Sequence, residues 1–445
     1  MYDGFRKIAK RSSYMKLCKN ILKKVIGLTP TIIALTLTLT VLVACTGNDN
    51  LPEPDSNAFP EPSEPVQQTT PPPSPEPEVE SIDEDEPDVL PEVEEEPVDP
   101  VEQRISDIID SMSLYEKICQ MLIVTPESIT GVAEVTIAGE ITQASIEKYP
   151  VGGIILFSPN ITSSDQVTEF NKRIQEYSTL PLFIAVDEEG GRVARLGNKL
   201  GVHSIKAMLT YEEDGLETAF ENAIILSDAL KDHGFNTNFA PVADVWSNSA
   251  NSVIGNRAYS RDFDVAAELV AAAVRGFRES NIVASLKHFP GHGDTSEDSH
   301  YTTAYVNKTL DELRESEFLP FIAGIDAGAD MVMTGHLIVP EVDELPATLS
   351  KVLISDILRG ELGFEGIVIT DSLAMSAVSR HFSNEFVAVT AVTAGVDILL
   401  MPLNVGETIS ALVAAVESGE IPESRIDESV RRILGLKISL GLIRL

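Results

Sequence analysis

The residues best suited to chemistry lie in one short stretch, residues 287–300. It contains three of the chain's seven histidines, a lysine, three carboxylates and two glycines, and it follows an apolar run at residues 282–286. Histidine is the side chain best able to exchange a proton near neutral pH. The pattern is typical of a polar loop that leaves a buried strand, so we expect the chemistry here.

Eight short apolar runs must position this loop. Near-continuous apolar runs indicate strands that are covered on both faces, as in parallel sheets. The intervening segments, such as 220–231, 265–278 and 310–327, show helical periodicity. Eight strand–helix units over about 340 residues predict an α/β fold, a (β/α)8 barrel, with an open doubly wound sheet as the alternative. The runs are residues 121–124, 153–157, 182–186, 237–242, 283–286, 331–334, 366–369 and 396–400.

Polar residues follow several of these runs at the same end. Active sites of (β/α)8 barrels lie at the C-terminal ends of the strands. The sequence therefore predicts a site at that end, with contributions from Asp187, Asp244, Lys287, His288, His336 and Asp371.

Four motifs occur along the chain in a fixed order. They are VDEEGGRV at residues 186–193, NR at 256–257, KHFPGHGD at 287–294 and ITDSL at 369–373. With them the chain resembles glycoside hydrolase family 3, and within it the β-N-acetylglucosaminidases (β-N-acetylhexosaminidases), from about Ser106 to the C-terminus. The resemblance implies a retaining hydrolase that removes terminal, non-reducing N-acetylglucosamine from cell-wall-derived glycans by double displacement, as in peptidoglycan turnover.

The same resemblance implies roles for individual residues. Asp371 matches the nucleophile, and Asp298 with His300 matches an Asp–His pair on a mobile loop, whose imidazole acts as general acid and then base. Five residues match positions that hold the sugar hydroxyls and the acetamido group. They are Asp187, Arg195, Arg257, Lys287 and His288.

These roles are chemically reasonable. A retaining glycosidase needs a carboxylate under the anomeric carbon and a proton donor for the leaving oxygen. Lys287 and Arg257 would hold Asp371 ionised, and Asp298 would steady the imidazolium of His300. Gly291 and Gly293 would let the loop fold over the sugar and open again.

Each assignment has an alternative. Asp371 could instead cap a helix at residues 372–378. His292, Asp294, Asp298 and His300 could bind a divalent ion, although the resemblance requires no metal or cofactor. Cys119 is expected to pack in the core, and the role of His336 is left open.

Two other functions fit the same residues. A phosphorylase on this scaffold is the first, because a histidine donor carries no negative charge that would repel phosphate. A non-catalytic sugar-binding lipoprotein is the second, and the presence of Asp371, Asp298 and His300 argues against it. Relatives that act on glucosides commonly carry a second domain that supplies a glutamate. Because this sequence ends at Leu445, we expect the acid to come from the barrel.

Residues 1–45 resemble a bacterial lipoprotein signal. Lys16, Lys19, Lys23 and Lys24 precede an apolar run at residues 25–44, which ends in Leu42-Val43-Ala44-Cys45. Cys45 would be acylated, as with palmitate, and become the new N-terminus. The protein would then be extracytoplasmic and lipid-anchored to the bacterial cell membrane. The alternative is an uncleaved membrane span, since about 20 apolar residues can cross a bilayer.

Composition separates the rest into a linker and a domain. Residues 46–100 contain 18 acidic residues, 14 prolines and no lysine or arginine, which predicts a disordered tether. Residues 101–445 contain 25 basic and 50 acidic residues and form the predicted hydrolase domain. Such a charge excludes nucleic acid as a partner. One cysteine in this region leaves no internal disulfide, and we expect a monomer.

Overall fold

The computed structural model describes residues 99–296 and 304–445, so the predicted signal, most of the linker, Asp298 and His300 lie outside the described residues. Eight parallel strands form one sheet. Each is buried along its length, which is why the sequence shows apolar runs without alternation. The strands are β1 Leu122–Val124, β2 Gly153–Ile155, β3 Phe183–Val186, β4 Thr237–Asn238, β5 Val283–Phe289, β6 Met331–Thr334, β7 Ile367–Thr370 and β8 Leu399–Leu400.

The sheet closes into a barrel, which confirms the predicted fold. Successive strands pair in parallel from β1 to β7, and β1 pairs with β8. The remaining gap, between β7 and β8, is bridged at Ile369 and Ile398. The Thr370 N–H donates to the Ile398 carbonyl across it at 3.0 Å. An open sheet would leave β7 and β8 as unpaired edges, so the doubly wound alternative is wrong.

Helices occupy the segments between the strands and cover the outside of the barrel. One of them, Val352–Glu361, has π-helical hydrogen bonding. The α-helices are Pro100–Ser111, Leu114–Gln120, Pro126–Thr130, Glu140–Lys148, Ser164–Tyr177, Arg195–Leu200, Tyr211–Asp214, Leu216–Asp232, Phe263–Glu279, Leu310–Arg314, Phe318–Asp326, Ser376–Ser379, Asn384–Ala394, Val405–Glu417 and Glu423–Ser439. Short 3₁₀ turns span Ser158–Asn160, Met208–Thr210, Gly255–Arg257 and Ala347–Leu349.

The helix predicted at residues 310–327 is two helices. Pro320 explains the break, because it has no N–H to donate to the carbonyl of Ser316 and its ring would clash with that carbonyl. Proline is tolerated only in the first turn, and Pro320 lies in the first turn of Phe318–Asp326. The first helix, Leu310–Arg314, begins at a capping box made by Thr309 and Glu312.

Two small sheets follow barrel strands. A hairpin of Glu188–Gly190 and Val193–Ala194 comes directly after β3 and leads into the helix that begins at Arg195. The second sheet has strands Ala304–Tyr305, Leu337–Val339 and Asp343–Pro346. Within the part of the chain that the structure describes, no helix is both long and apolar enough to cross a membrane.

A lysine is buried at the N-terminal end of the barrel. Lys437, on the last helix, is fully inaccessible to solvent. Its Nζ donates to Oε1 of Gln120 at 2.8 Å and lies 5.0 Å from the centre of the Phe183 ring. Burial lowers the pKa of Lys437 from 10.5 to about 7, because none of the carboxylates that the structure describes compensates for its lost hydration.

We expect Lys437→Met to change how stability depends on pH. Above pH 7 the folded protein releases the proton of Lys437, whereas the unfolded chain keeps it until about pH 10.5. The contribution of this group to stability is therefore complete above pH 10.5 and is lost as the pH falls to 7. The stability of the wild type relative to Lys437→Met should rise by up to about 1.4 kcal/mol per pH unit across this window.

Urea unfolding at pH 6, 7, 8 and 9 measures this difference. Lys351→Met is the matched control, since Lys351 is exposed, and its difference from wild type should stay constant. A constant difference for Lys437→Met as well would show that the lysine keeps its proton in the folded barrel.

Candidate active site

A cavity of about 480 Å³ opens at the C-terminal ends of the strands. The structure brings six of the predicted site residues to its walls, although they are as much as 184 positions apart in sequence. Binding pockets for small molecules have volumes of roughly 300–1,000 Å³. The six residues are Asp187, Arg195, Arg257, Lys287, His288 and Asp371.

A buried ion-pair network forms one side of the cavity. Nζ of Lys287 lies 2.8 Å from Oδ1 of Asp187 and 2.7 Å from Oε1 of Glu189. Glu189 also accepts two hydrogen bonds from Arg257, from Nε and Nη2, both at 2.8 Å. The network therefore contains two carboxylates and two cations, and it joins the end of β3 to β5 and to the 3₁₀ turn Gly255–Arg257.

The charges of this network stabilise one another against burial. Burial by itself would raise the pKa of Glu189, but Arg257 and Lys287 hold it well below its usual range. Burial acts in the opposite direction on Arg257 and Lys287, and their carboxylate partners more than offset it, so the pKa of each cation is raised. All three groups are consequently charged at neutral pH.

The hairpin after β3 places Arg195. Nη2 of Arg195 lies 3.5 Å from Oδ2 of Asp187. Arg195 is the first residue of its helix, and the carboxylate of Glu188 accepts the next two helical N–H groups, of Leu196 and Gly197, at 2.7 and 3.0 Å. Glu188 is fully buried, and Nε2 of His203 lies 2.7 Å from its Oε1. Glu188 thus fixes the helix terminus from which Arg195 extends.

Asp244 orients the histidine that lines the cavity. Oδ2 of Asp244 lies 2.6 Å from Nδ1 of His288, and Oδ1 accepts the backbone N–H groups of His288 and His292 at 3.1 and 2.6 Å. Burial would raise the pKa of Asp244, but His288 offsets it and the pKa is lowered. The carboxylate is therefore ionised, and it holds the proton of His288 on Nδ1.

Asp371 follows directly after β7. Its N–H donates to the Thr334 carbonyl at 2.9 Å, and its Oδ1 accepts the Ser372 N–H at 2.7 Å. The next helix begins only at Ser376, with Met375 in the N-cap position. The alternative that Asp371 caps this helix is therefore wrong. Lys287 and Arg257 line the same cavity but pair with Asp187 and Glu189, so their effect on Asp371 stays a prediction.

His336 supports the segment that carries Asp371. The side chain is fully buried, with Nε2 2.8 Å from the Ser372 carbonyl and Nδ1 2.8 Å from the Thr348 hydroxyl. Because a carbonyl can only accept, Nε2 carries a proton. His336 therefore anchors the backbone beside Asp371.

Two asparagines hold the beginning of the loop after β5. Nδ2 of Asn251 donates to the His292 carbonyl at 2.7 Å, and its Oδ1 accepts the N–H groups of Val253 and Ile254. Asn248 donates to the carbonyl of Asp294 at 3.1 Å. These bonds connect the loop after β4, which carries Arg257, to the loop after β5.

Gly293 lies where two backbone segments are closely packed. A Cβ atom at this position would lie 1.6 Å from the carbonyl oxygen of Val245. Glycine is needed at this position because two backbones meet here, and its part in loop movement stays a prediction. The neighbouring Trp246 packs on a small apolar cluster that contains Ile254 and Ala258, and the guanidinium of Arg261 lies 4.3 Å from the centre of its ring.

Part of the cavity lining is apolar. Aliphatic, aromatic and thioether side chains come from the ends of β2, β4, β6 and β8 and from the segment after β7. The cavity thus pairs charged hydrogen-bonding groups with a surface suited to the nonpolar parts of a ligand. The apolar lining residues are Ile155, Phe157, Val193, Phe239, Val253, Met333, Met375, Leu400 and Met401.

The predicted acid/base pair lies outside the described residues. Asp298 and His300 fall in the gap between residues 296 and 304, so their roles stay predictions. The alternative metal site shares both residues and is equally untested. Among the residues that are described, no group of three or more histidine, cysteine, aspartate or glutamate side chains is arranged to hold a metal ion. His292, another residue of that alternative, is described, and its Nδ1 lies 2.7 Å from the Thr295 hydroxyl.

A model of the glycosyl hydrolase family 3 N-terminal domain matches residues 113–436. The chain belongs to glycosyl hydrolase family 3. The resemblance inferred from the four motifs is thereby confirmed, and the matched region contains all six residues around the cavity.

Similar proteins of this family carry related names. The chain is 35% identical over 327 residues to β-hexosaminidase A of Pseudoalteromonas piscicida, a match that covers 66% of this chain and 54% of that protein. It is 42% identical over 232 residues to a β-hexosaminidase of Stenotrophomonas maltophilia, covering 51% and 69%. A family 3 β-N-acetylglucosaminidase structure from Paenibacillus sp. superposes with a TM-score of 0.70 at 38% identity, covering 75% and 65%.

The motifs of the family located the cavity, but three polar residues around it received no role from the sequence. Glu189 lies in the first motif without an assigned role, although it binds both Arg257 and Lys287. Asp244 follows a predicted strand but has no assigned role, and His203 lies outside the four motifs. A carboxylate within an otherwise apolar segment is the signal that could have identified Asp244, since burying it requires a partner.

Proposed function

We propose that this family 3 protein is a retaining β-N-acetylhexosaminidase that removes terminal, non-reducing N-acetylglucosamine from cell-wall-derived glycans. One observation carries the proposal. Asp371, a carboxylate fixed at the end of β7, shares a cavity of sugar-binding size with the charged network of Asp187 and Lys287 and with His288. Such a site can hold a sugar by its hydroxyls while a carboxylate attacks its anomeric carbon.

The comparisons support the choice of substrate. The similar proteins are named β-hexosaminidase and β-N-acetylglucosaminidase. Because the match spans only about half of the Pseudoalteromonas protein, the activity of the present chain is inferred jointly from these names and from its own cavity. The combination of charged and apolar lining residues suits a sugar that carries both hydroxyls and an acetamido methyl group.

The reaction proceeds in two displacements. Asp371 attacks the anomeric carbon and forms a covalent glycosyl-enzyme while His300 protonates the leaving oxygen; water then attacks, with His300 as base. Asp187 and Lys287 would bind sugar hydroxyls, and Arg195 and Arg257 would hold the remaining polar groups together with His288. Asp298 would orient the imidazole of His300 and stabilise its charged form.

We also propose an extracytoplasmic location with a lipid anchor at Cys45. The basic flank, the apolar run and the small residues before Cys45 support it. The acidic, proline-rich residues 46–100 would separate the barrel from the membrane surface. An enzyme held in this way would meet fragments of the cell wall outside the cell.

Replacement of Asp371 tests the function. Asp371→Ala should remove nearly all release of phenol from an aryl N-acetylglucosaminide, because no glycosyl-enzyme can form. Its thermal unfolding should stay close to wild type, since a strand-end carboxylate contributes little to the core. Asp326→Ala, at an exposed helix end, is the matched control and should keep full activity.

The products decide among the alternatives. Free N-acetylglucosamine in the presence of inorganic phosphate supports hydrolysis, whereas a sugar 1-phosphate would make the protein a phosphorylase. Turnover of Asp371→Ala within a few-fold of wild type would contradict the nucleophile. Sugar binding by the wild type without any turnover would point to a binding lipoprotein.

Replacement of His300 tests the proton donor. Protonation matters most for a poor leaving group, so His300→Ala should slow cleavage of an N-acetylglucosamine disaccharide by roughly 10²–10⁴-fold and that of an activated aryl substrate far less. Asp298→Ala should act in the same direction but more weakly. The measurement is kcat/KM for both substrates, with and without EDTA. Equal losses on both, or activity that EDTA abolishes and zinc restores, would require a different acid.

Replacement of Cys45 tests the anchor. Cys45→Ala should either release the protein from the membrane fraction or leave its signal uncleaved, because the acylation site is gone. Fractionation and the mass of the N-terminal peptide measure this. A wild-type protein that retains residues 1–44 would favour the uncleaved span instead.

A further inference from the structure

Met401 has an unusual backbone conformation for its side chain. In the described chain two residues other than glycine have a positive φ, Asn281 at 55° and Met401 at 50°. Asparagine adopts this region readily because its short polar side chain can bond locally, whereas methionine does so rarely. Strain of this kind is retained where the side chain is needed. The conformation alone would be served better by glycine.

The position of Met401 supplies a reason. It follows β8 directly and lines the cavity. The carbonyl of Leu400, one residue earlier, accepts the N–H of Leu373 at 2.9 Å. The end of β8 is therefore bonded to the segment that begins at Asp371, and Met401 lines the same cavity as the proposed nucleophile.

Two further methionines complete an apolar surface around the same segment. Met333, on β6, is paired with Ile369 on β7, and Met375 is four residues after Asp371. Both line the cavity together with Met401. The strands on either side of β7 thus each contribute a thioether side chain, and these unbranched chains adapt easily to the shape of a small apolar group.

The proposed chemistry determines which part of the substrate meets this surface. Asp371 must lie under the anomeric carbon, C1, and the acetamido group is carried by the adjacent carbon, C2. The C2 substituent is consequently held within a few bond lengths of Asp371. A methyl group gains by leaving water for an apolar surface, whereas a C2 hydroxyl would lose its hydrogen bonds to water there.

We propose that Met401 is a specificity-determining residue whose thioether contacts the methyl group of the C2 acetamido substituent. The inference rests on the proposed function. It accounts for the strained backbone, since glycine at this position would relax φ but remove the contact. The other two methionines form the rest of the surface, and Met401 is the one held in place at a conformational cost.

The variant Met401→Gly tests whether the side chain contacts the substrate or is needed for stability. Thermal stability should be unchanged or higher, because the positive φ is no longer strained. kcat/KM for an aryl N-acetylglucosaminide should fall by about 10-fold or more, the scale expected for a small apolar group in a pocket. kcat/KM for the aryl glucoside, which has no methyl group at C2, should change by less than about 3-fold. The ratio of kcat/KM for the N-acetylglucosaminide to kcat/KM for the glucoside therefore falls.

A series of acyl groups gives a second measurement. Aryl substrates with N-acetyl, N-propionyl and N-butyryl groups should show a preference for the shortest chain in wild type and a shift toward longer chains in Met401→Gly, because removal of the side chain opens space. Met401→Leu, which keeps the volume, should retain the acetyl preference. Asn281→Gly relaxes the other positive φ and should leave all these ratios unchanged.

The possible results distinguish the role of Met401 from the proposed function. If Met401→Gly lowers kcat/KM equally for the N-acetylglucosaminide and the glucoside and leaves the acyl preference unchanged, the role of Met401 is overturned and the proposed function stays intact. A wild-type protein that cleaves none of the N-acyl substrates would overturn the proposed function and this inference together. Loss of stability in Met401→Gly would show that the methionine is kept for packing.

Discussion

The site depends on the buried pairing of Glu189 with Arg257 and Lys287. Transfer of any one of these charges from water into the barrel would be strongly unfavourable, and removal of one member of a buried pair typically costs 3–5 kcal/mol because it leaves the other unpaired. The planar guanidinium of Arg257 matches the carboxylate with two parallel bonds, which fixes direction as well as distance. The positions of β3, β5 and the turn after β4 are thereby set relative to one another.

This constraint leaves Asp187 as the most exposed member of the network. Glu189 is almost fully buried, whereas the Asp187 side chain keeps 18% of its surface exposed. Lys287 bonds both carboxylates and neutralises part of their charge. An aspartate in this position can accept hydrogen bonds from sugar hydroxyls without releasing the cation that holds it. The buried Glu189 therefore mainly supports the network, and Asp187 offers a ligand the larger exposed surface.

The sequence predicted the barrel well because strands buried on both faces need continuous apolar runs, and all eight runs overlap an observed strand. The family resemblance also named six residues that the structure brings to the walls of one cavity, while their individual roles stay predictions. It did not predict Glu189 as their centre, since its partners lie 68 and 98 positions away and no local pattern marks them. The burial of Lys437 was not predicted for a similar reason. Its partner Gln120 lies 317 positions earlier in the sequence. Pro320, by contrast, was a local signal of a helix break that could have been used.

The single tryptophan of the chain, Trp246, lies where two functional segments meet. It packs on Ile254 and Ala258, beside the turn that carries Arg257, while the carbonyl of the preceding residue contacts Gly293. The intrinsic indole fluorescence of the protein therefore comes from one corner of the site and not from an average over the barrel. Fluorescence excited at the red edge of the absorption band, where tyrosine does not absorb, would report on the polarity around Trp246 without any introduced label.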